Sequence, residues 1–210
     1  MIRQSQVWRQ QRSQGRPYLC WHVVMDISFA LFGTVVLFLI LPILALLIYL
    51  DSPGPIFYRQ ERVGFQGRKF CMHKFRSMAR DAESAGKAVW ATRHDPRVTR
   101  IGRFMRATHL DELPQVFNIL RGEMSLIGPR PEREAHASKW EKIAPSYRDR
   151  LAIKPGLTGL AQVKRGYGGA AQDELIKLEY DLYYIQHQSF TLDISIILKT
   201  VVEVLYGHGV

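Results

Sequence analysis

The feature that most constrains this chain is an uninterrupted apolar segment near its start. Residues 27–50 read ISFALFGTVVLFLILPILALLIYL and contain no charged side chain. A helix of about 20 apolar residues is long enough to cross a bilayer, so the segment predicts a membrane helix. It exceeds the apolar core of a cleaved signal peptide and no small-residue cleavage site follows it, so we expect it to remain in the mature protein.

The charges on both sides of the apolar segment favour the same face of the membrane. Arginine and lysine are present before it and after it: Arg3, Arg9, Arg12 and Arg16, then Arg59, Arg62, Arg68 and Lys69. Such residues favour the cytoplasmic side. Pro42 removes a helical hydrogen bond and predicts a bend, and the 15 residues before it reach about 22 Å, less than the ~30 Å hydrocarbon core. A re-entrant helix and a kinked single span both satisfy these features.

The pattern divides the chain into a basic N-terminal segment (1–26), a membrane helix (27–50) and a cytoplasmic domain (51–210). The domain opens with the break DSPGP, and residues 56–75 then predict a β-hairpin with its turn at Gly64–Gly67. Two later segments, 173–185 and 191–206, space apolar residues as amphipathic helices do, and the last could lie on the membrane surface. The expected fold is α+β and mostly helical, with a membrane helix broken at the proline, a small β-hairpin and surface amphipathic helices.

Composition narrows the partners without selecting one. The net charge of +10 points to a polyanion, which can be nucleic acid, an anionic membrane or a phosphorylated substrate. The two cysteines, Cys20 and Cys71, form no paired spacing and indicate reduced thiols rather than a disulfide framework.

Two adjacent acids, Asp111 and Glu112, stand out in a basic neighbourhood. Thr108 could open a helix as a capping box with Asp111, which is a purely structural use. Arginines surround the pair in sequence, however, at positions 100, 103, 106, 121 and 130, and such a concentration suits phosphate binding. A carboxylate beside bound phosphates can hold Mg²⁺ or act as a nucleophile. Spacing alone leaves the structural and the chemical interpretations open, and no Walker-type glycine loop is present.

Several motifs in order resemble one family. They are GPIFYRQERVG after the proline-containing apolar segment, KFRSM (74–78), DPRVTRIGRFMR (95–106), LDELPQ (110–115), GEMSLIGPRP (122–131), KPGLTGLAQV (154–163) and YDLYYI (180–185). Together they resemble the bacterial sugar transferases, in the minimal form of the monotopic phosphoglycosyl transferases. The resemblance covers roughly residues 20–206 and implies a re-entrant helix.

The resemblance implies an activity and its partners. Such enzymes transfer a sugar 1-phosphate from a UDP-sugar to a polyprenol phosphate, usually undecaprenyl phosphate, and release UMP. The reaction starts membrane glycan or exopolysaccharide assembly on the cytoplasmic face of the bacterial inner membrane, so residues 51–210 would be the catalytic domain. Membrane lipids are expected partners, nucleic acid is not, and a homo-oligomer is compatible with the sequence.

The resemblance also implies roles for individual residues. Asp111 resembles the nucleophile that forms a phosphosugar-aspartyl intermediate, and Glu112 its partner in the Mg²⁺ and phosphate site. Arg106 and Arg130 resemble phosphate ligands, and Lys74 an electrostatic helper. Asp181 resembles a metal-side acid, so the expected Mg²⁺ ligands are Asp111, Glu112 and Asp181.

Two departures and two competing functions complete the expectations. Leu41 precedes Pro42 where the family often has serine, and Leu160 stands where tryptophan is usual. The first competitor is a membrane-anchored polyanion binder without catalysis, whose basic stretch from Arg93 to Arg106 holds headgroups. The second is a polyprenol-dependent transferase that acts by direct displacement, with Asp111 as a base or metal ligand only.

Overall fold

Helices form most of the computed structural model, which describes residues 16–80, 82, 95–165 and 171–206. In chain order the elements are α1 (Arg16–Asp51), β1 (Phe57–Val63), β2 (Lys69–Phe75), α2 (Arg100–Ala107), α3 (Val116–Leu120), β3 (Ser125–Ile127), α4 (Glu134–Ile143), β4 (Gly156–Thr158), α5 (Leu160–Arg165), α6 (Ala171–Gln186) and α7 (Phe190–Tyr206). Short 3-10 helices lie at Phe65–Gly67, Leu110–Gln115 and Pro145–Ala152. The prediction of a mostly helical chain with a small antiparallel sheet is confirmed.

Helix α1 packs lengthwise against the rest of the chain. One stripe of the helix is buried, namely Asp26, Ala30, Leu37, Leu44 and Ile48. Gly33 lies in the same stripe, and a β-carbon there would meet Val116 Cγ1 at 2.8 Å, so the absence of a side chain allows α1 to approach α3 closely. The opposite face leaves Leu31, Phe32, Phe38 and Leu39 exposed, as expected for a surface that meets lipid.

The predicted break at Pro42 is not confirmed, because α1 remains helical from Arg16 to Asp51. A proline removes one backbone hydrogen bond but need not end a helix whose neighbouring turns are packed. Residues 20–51 form the one helix in the described part of the chain that is long and apolar enough to cross a membrane.

The predicted hairpin is confirmed. Strands β1 and β2 pair antiparallel, with Arg59 opposite His73 and Val63 opposite Lys69. The buried Asn118 of α3 extends the pattern of hydrogen bonds at the edge of β2: it accepts from the His73 backbone N–H at 3.1 Å and donates to the Cys71 carbonyl at 2.8 Å. This contact fixes the part of β2 that leads to Lys74.

A second strand pair, β3 with β4, is parallel. Ser125 pairs with Gly156 and Ile127 with Thr158. Just beyond, Gly128 packs directly on the backbone of Lys154 and Gly156, where a side chain would collide. Asp26 of α1 joins this pair from the membrane helix, since its carboxylate accepts from Ser125 Oγ at 2.9 Å and from the Leu126 backbone N–H at 2.7 Å.

Helices α6 and α7 complete the structure. Leu178 and Ile185 are buried and Leu175 and Leu182 partly buried, so the stripe noted in the sequence faces the interior. In α7 the fully buried Asp193 accepts from the Tyr184 hydroxyl at 2.8 Å and lies 2.9 Å from His22 Nε2 of α1. Ile196 of α7 is also buried, whereas the second half of the helix exposes apolar side chains, of which Leu205 is the most open.

Candidate active site

The acidic pair lies in the 3-10 helix Leu110–Gln115, which packs against β2 and α1. His109 precedes it with a left-handed backbone (φ 55°), so the chain turns sharply into the helix. The Thr108 hydroxyl donates backwards to the Phe104 carbonyl at 2.9 Å, and no side chain caps the acidic helix. The capping-box interpretation is therefore wrong, because Thr108 closes the preceding helix instead of opening this one.

Glu112 is held between two cations. Its Oε1 accepts from Lys74 Nζ at 2.7 Å and from Arg130 Nη2 at 2.6 Å, while Oε2 has only a 3.4 Å contact with Arg130 Nη1. Burial by itself would raise the pKa of Glu112, but Arg130 and Lys74 hold that pKa well below its ordinary value. Glu112 is therefore a fixed negative charge.

Asp111 is equally buried but accepts no hydrogen bond from the described residues. Its side chain is 6% exposed, and within the described part of the chain no hydrogen bond or ion pair to its carboxylate is found. Burial raises the pKa of Asp111 to about 6, against the attraction of Lys74 and with a further rise from the charge of Glu112. A buried carboxylate that makes no structural bond has its oxygen atoms available for chemistry.

Arg106 and Lys74 are the other predicted cations near the two acids. Arg106, at the end of α2, donates from Nε to Ser77 Oγ at 2.9 Å, and its positive charge acts on Asp111. Among the described residues its terminal nitrogen atoms have no partner, so they can bind an incoming anion. Burial lowers the pKa of Lys74, and the nearby Glu112 opposes that change. The structure thus brings together Lys74, Arg106, Asp111, Glu112 and Arg130.

Asp181, the sixth predicted residue, belongs to a different cluster. Its carboxylate accepts from Arg150 Nη2 at 2.5 Å, and both side chains are buried. Arg150 also reaches the backbone carbonyl of Arg130, so Arg130 connects this cluster to the acidic pair. The role of Asp181 as a metal ligand stays a prediction.

Sequence reasoning missed Arg150, Asn118 and Asp26, which hold the elements that carry the site. None of the three stands in a pattern that a periodicity or a motif of charges would single out. Each of them also contacts a group that is distant in sequence: 20 and 31 positions away for Arg150, 45 and 47 for Asn118, and 99 and 100 for Asp26. A long-range contact of this kind leaves no local signal.

The donor set fits a magnesium ion that is shared with a substrate. Mg²⁺ is commonly held by one or two carboxylates together with substrate phosphates and water. Asp111 and Oε2 of Glu112 supply such a pair. Within the described residues no group of three or more acidic, histidine or cysteine side chains could hold a metal ion by itself.

The comparison with protein families identifies the chain. The family described as "Bacterial sugar transferase" matches residues 18–207. An Aeromonas hydrophila protein named UDP-N-acetylgalactosamine-undecaprenyl-phosphate N-acetylgalactosaminephosphotransferase is 47% identical over 165 residues, which are 79% of this chain and 39% of that protein. The UDP-glucose:undecaprenyl-phosphate glucose-1-phosphate transferase of Xanthomonas campestris pv. campestris is 46% identical over 74% of this chain and 33% of its own length.

A relative of similar size also matches. The exopolysaccharide production protein PSS of Rhizobium leguminosarum bv. phaseoli is 40% identical over 190 residues, which are 88% of this chain and 95% of that protein. The chain therefore spans less than half of the first two relatives and nearly all of the third. With a family match over most of its length, and the acidic pair enclosed by the cations that the motifs predicted, this chain belongs to the bacterial sugar transferase family.

Proposed function

We propose that the chain transfers a sugar 1-phosphate from a UDP-sugar to a polyprenol phosphate, through a covalent bond to Asp111. The observation that carries this proposal is the pair of contrasting acids. Glu112 is fixed by Lys74 and Arg130, whereas Asp111 is buried beside the same cations and makes no bond to any residue that the structure describes. Such an arrangement places a free carboxylate where phosphate oxygens would bind.

The transfer would proceed in two displacements at one phosphorus atom. An Asp111 carboxylate oxygen attacks the β-phosphorus of the UDP-sugar, the bond from that phosphorus to the bridging oxygen breaks, and UMP leaves with the oxygen. A phosphosugar then remains on Asp111 as an acyl phosphate. An oxygen of polyprenol phosphate attacks the same phosphorus, the bond to Asp111 breaks, and the carboxylate is regenerated.

The cations assist both displacements by offsetting charge on the phosphate oxygens. Arg106 offers terminal nitrogen atoms that have no partner among the described residues, and Arg130 and Lys74 lie where they can share their donors between Glu112 and a phosphate. A Mg²⁺ ion held by Asp111 and Glu112 would supply further neutralisation of the diphosphate. Because Glu112 keeps Lys74 and Arg130 in place, it would contribute by position rather than by attack.

The contacts at the two ends of α1 support a membrane helix whose ends both lie on the same side of the membrane, which we propose is the cytoplasmic side. Asp26 binds β3, and Asp51 accepts from the Ile101 backbone N–H at 2.8 Å, so both ends of the apolar segment are tied to the same folded unit. These residues are 25 positions apart, about 37 Å along a straight helix. That length exceeds the ~30 Å hydrocarbon core, so a crossing helix would draw the polar domain into lipid.

The two exposed native cysteines test this path, because Cys20 lies near the start of α1 and Cys71 in the hairpin. In single-cysteine variants, C20S and C71S, a membrane-impermeant maleimide should label neither thiol in intact cells and both after permeabilisation. Labelling of one thiol from outside would contradict the same-side path.

The direct test of the chemistry is the intermediate itself. Protein in detergent with Mg²⁺ and a UDP-sugar, but without lipid acceptor, should release UMP and gain the mass of one phosphosugar on the peptide that contains Asp111. Because the named relatives use UDP-N-acetylgalactosamine and UDP-glucose, both sugars belong in the panel. Adding polyprenol phosphate should remove the mass and form the lipid-linked product.

Two variants serve as the test and the control of this experiment. Asp111→Asn retains size but loses the attacking anion, so turnover should fall by several orders of magnitude. Glu61→Gln, which alters an exposed ion pair with Lys69 on the hairpin, is the matched control and should react normally. Product without the adduct in a rapidly quenched sample would favour direct displacement. Salt-sensitive binding without release of UMP from any sugar would favour the polyanion binder.

A further inference from the structure

Arg130 is carried by a loop whose four successive backbone carbonyls all accept hydrogen bonds. The donors are the Gly156 N–H to Pro129 at 2.9 Å, Arg150 Nη2 to Arg130 at 3.2 Å, Arg62 Nη1 to Pro131 at 3.0 Å and the Val63 N–H to Glu132 at 2.8 Å. The prolines on both sides of Arg130 have no N–H. The loop is therefore held mainly through its carbonyl groups, and each donor restrains one peptide.

Arg150 is the donor that reaches the carbonyl of Arg130 itself, and its own orientation is strongly restrained. The guanidinium donates to the Tyr147 hydroxyl at 2.7 Å and to Asp181 at 2.5 Å, and it lies 5.0 Å from the centre of the Tyr147 ring. A planar guanidinium with three fixed acceptors has little freedom to rotate. The Arg130 carbonyl is consequently bound to a rigid donor.

We propose that Arg150, oriented by Asp181, is a positioning residue for Arg130; the inference rests on the proposed function. By fixing the backbone of Arg130 it places the Arg130 guanidinium 2.6 Å from Glu112 and beside Asp111. A displacement of about 1 Å in a catalytic group can cost on the order of 100-fold in rate. Asp181 then serves the site through Arg150, which is a different role from that of a metal ligand.

The test replaces the whole ion pair. Removing one partner would leave a buried charge unpaired and could unfold the protein, whereas an apolar pair of similar volume is often tolerated. The double variant Arg150→Met with Asp181→Leu should therefore stay folded but lower kcat/KM for UMP release by roughly 10- to 100-fold. Arg148→Ala is the matched control: it lies in the same 3-10 helix, binds Glu134 and Glu141 instead, and should leave kcat/KM unchanged.

A double-mutant cycle separates positioning from a general structural effect. If Arg150 acts through Arg130, the double replacement should add no further loss in an Arg130→Met background, since coupled residues are not additive. Additive losses would overturn the proposal. The Mg²⁺ concentration for half-maximal activity should be the same in the double variant and the wild type, and an increase would overturn the proposal by returning Asp181 to the metal site.

The remaining outcomes are also decisive. Should the double variant fail to fold, Arg150→Lys retains the charge opposite Asp181 but cannot hold three acceptors in one plane, so activity should fall with folding intact. Wild-type activity in Arg150→Lys would then overturn the proposal. An active wild type with an equally active double variant refutes only the positioning role, whereas a wild type that releases no UMP refutes the proposed function and, with it, this inference.

Discussion

Glu112 and Asp181 are both buried carboxylates that bind an arginine, yet their surroundings differ in one respect. Asp181 and Arg150 form a charge-balanced pair, and Tyr147 and the Arg130 carbonyl take further donors of Arg150. Around Glu112 the balance is incomplete. Lys74, Arg106 and Arg130 surround two acids, of which Asp111 makes no bond among the described residues.

The difference shows how one fold uses the same residue types for support and for chemistry. In the Arg150 cluster the polar atoms restrain one another, so the cluster is suited to hold a backbone in place. In the acidic helix a carboxylate and several N–H donors are kept available, at some cost to the stability of the folded chain. Perturbed, incompletely paired groups of this kind are typical of sites that bind and react.

Among the changes that compare the two clusters, the largest effect should follow from changing the fixed acid. Glu112→Gln removes the charge that holds Lys74 and Arg130 while retaining the shape of the side chain. We expect kcat/KM for UMP release to fall by about 100- to 1,000-fold, as for the loss of one preorganised electrostatic contact, and the protein to remain folded. This loss should exceed that of the Arg150 and Asp181 double variant, because Glu112 touches the cations directly.

Steady-state assays of UMP release at saturating Mg²⁺, together with thermal unfolding, measure both quantities. An equal or smaller loss for Glu112→Gln than for the double variant would remove the distinction between the two clusters. Loss of folding in Glu112→Gln would instead show that the acidic pair is mainly structural.

The sequence predicted the chemical cluster better than the supporting one. LDELPQ, KFRSM and GPRP are compact motifs, so most of the residues that meet at the site could be identified from short sequence motifs. The packed face of α1 was not, because a helix that is apolar on every side has no periodicity that distinguishes the face toward the domain from the face toward lipid. Arg150 was missed for a related reason, since its partners Asp181 and Arg130 are 31 and 20 positions away.

An intermediate effect concerns pH. Since burial and Glu112 raise the pKa of Asp111 to about 6, the nucleophile is protonated below that pH, and kcat/KM for UMP release should fall about tenfold for each unit below it. The donor diphosphate is a diester without a proton to lose in this range. Measurements without acceptor and at Mg²⁺ far below saturation therefore report an ionisation of the enzyme and not one of the substrate.

Glu112→Gln sharpens this measurement. Removing the neighbouring negative charge lowers the pKa of Asp111, so the acidic limb of the profile should move to lower pH even though the rate is smaller. A limb that stays in place in the variant would assign the ionisation to another group.

The smallest effect is one on stability, and it has a sign opposite to that of most point mutations, which destabilise. The pKa of Asp111 is about 6 in the folded chain and 3.8 for the free side chain, so between these values the folded state binds more protons than the unfolded state. The contribution of this group to the free energy of unfolding therefore falls as pH rises from about 4 to 6 and stays unfavourable above that range.

Asp111→Asn removes this cost, so at pH 7.5 the variant should be more stable than the wild type by roughly 1–3 kcal/mol. At pH 4, where the wild-type carboxyl is protonated, the two should unfold at nearly the same temperature. Thermal unfolding of both proteins in the same detergent, without Mg²⁺ or nucleotide, measures the difference at each pH. A variant less stable than the wild type at pH 7.5 would mean that Asp111 makes a stabilising contact, and the contrast between a free acid and a fixed one would fail.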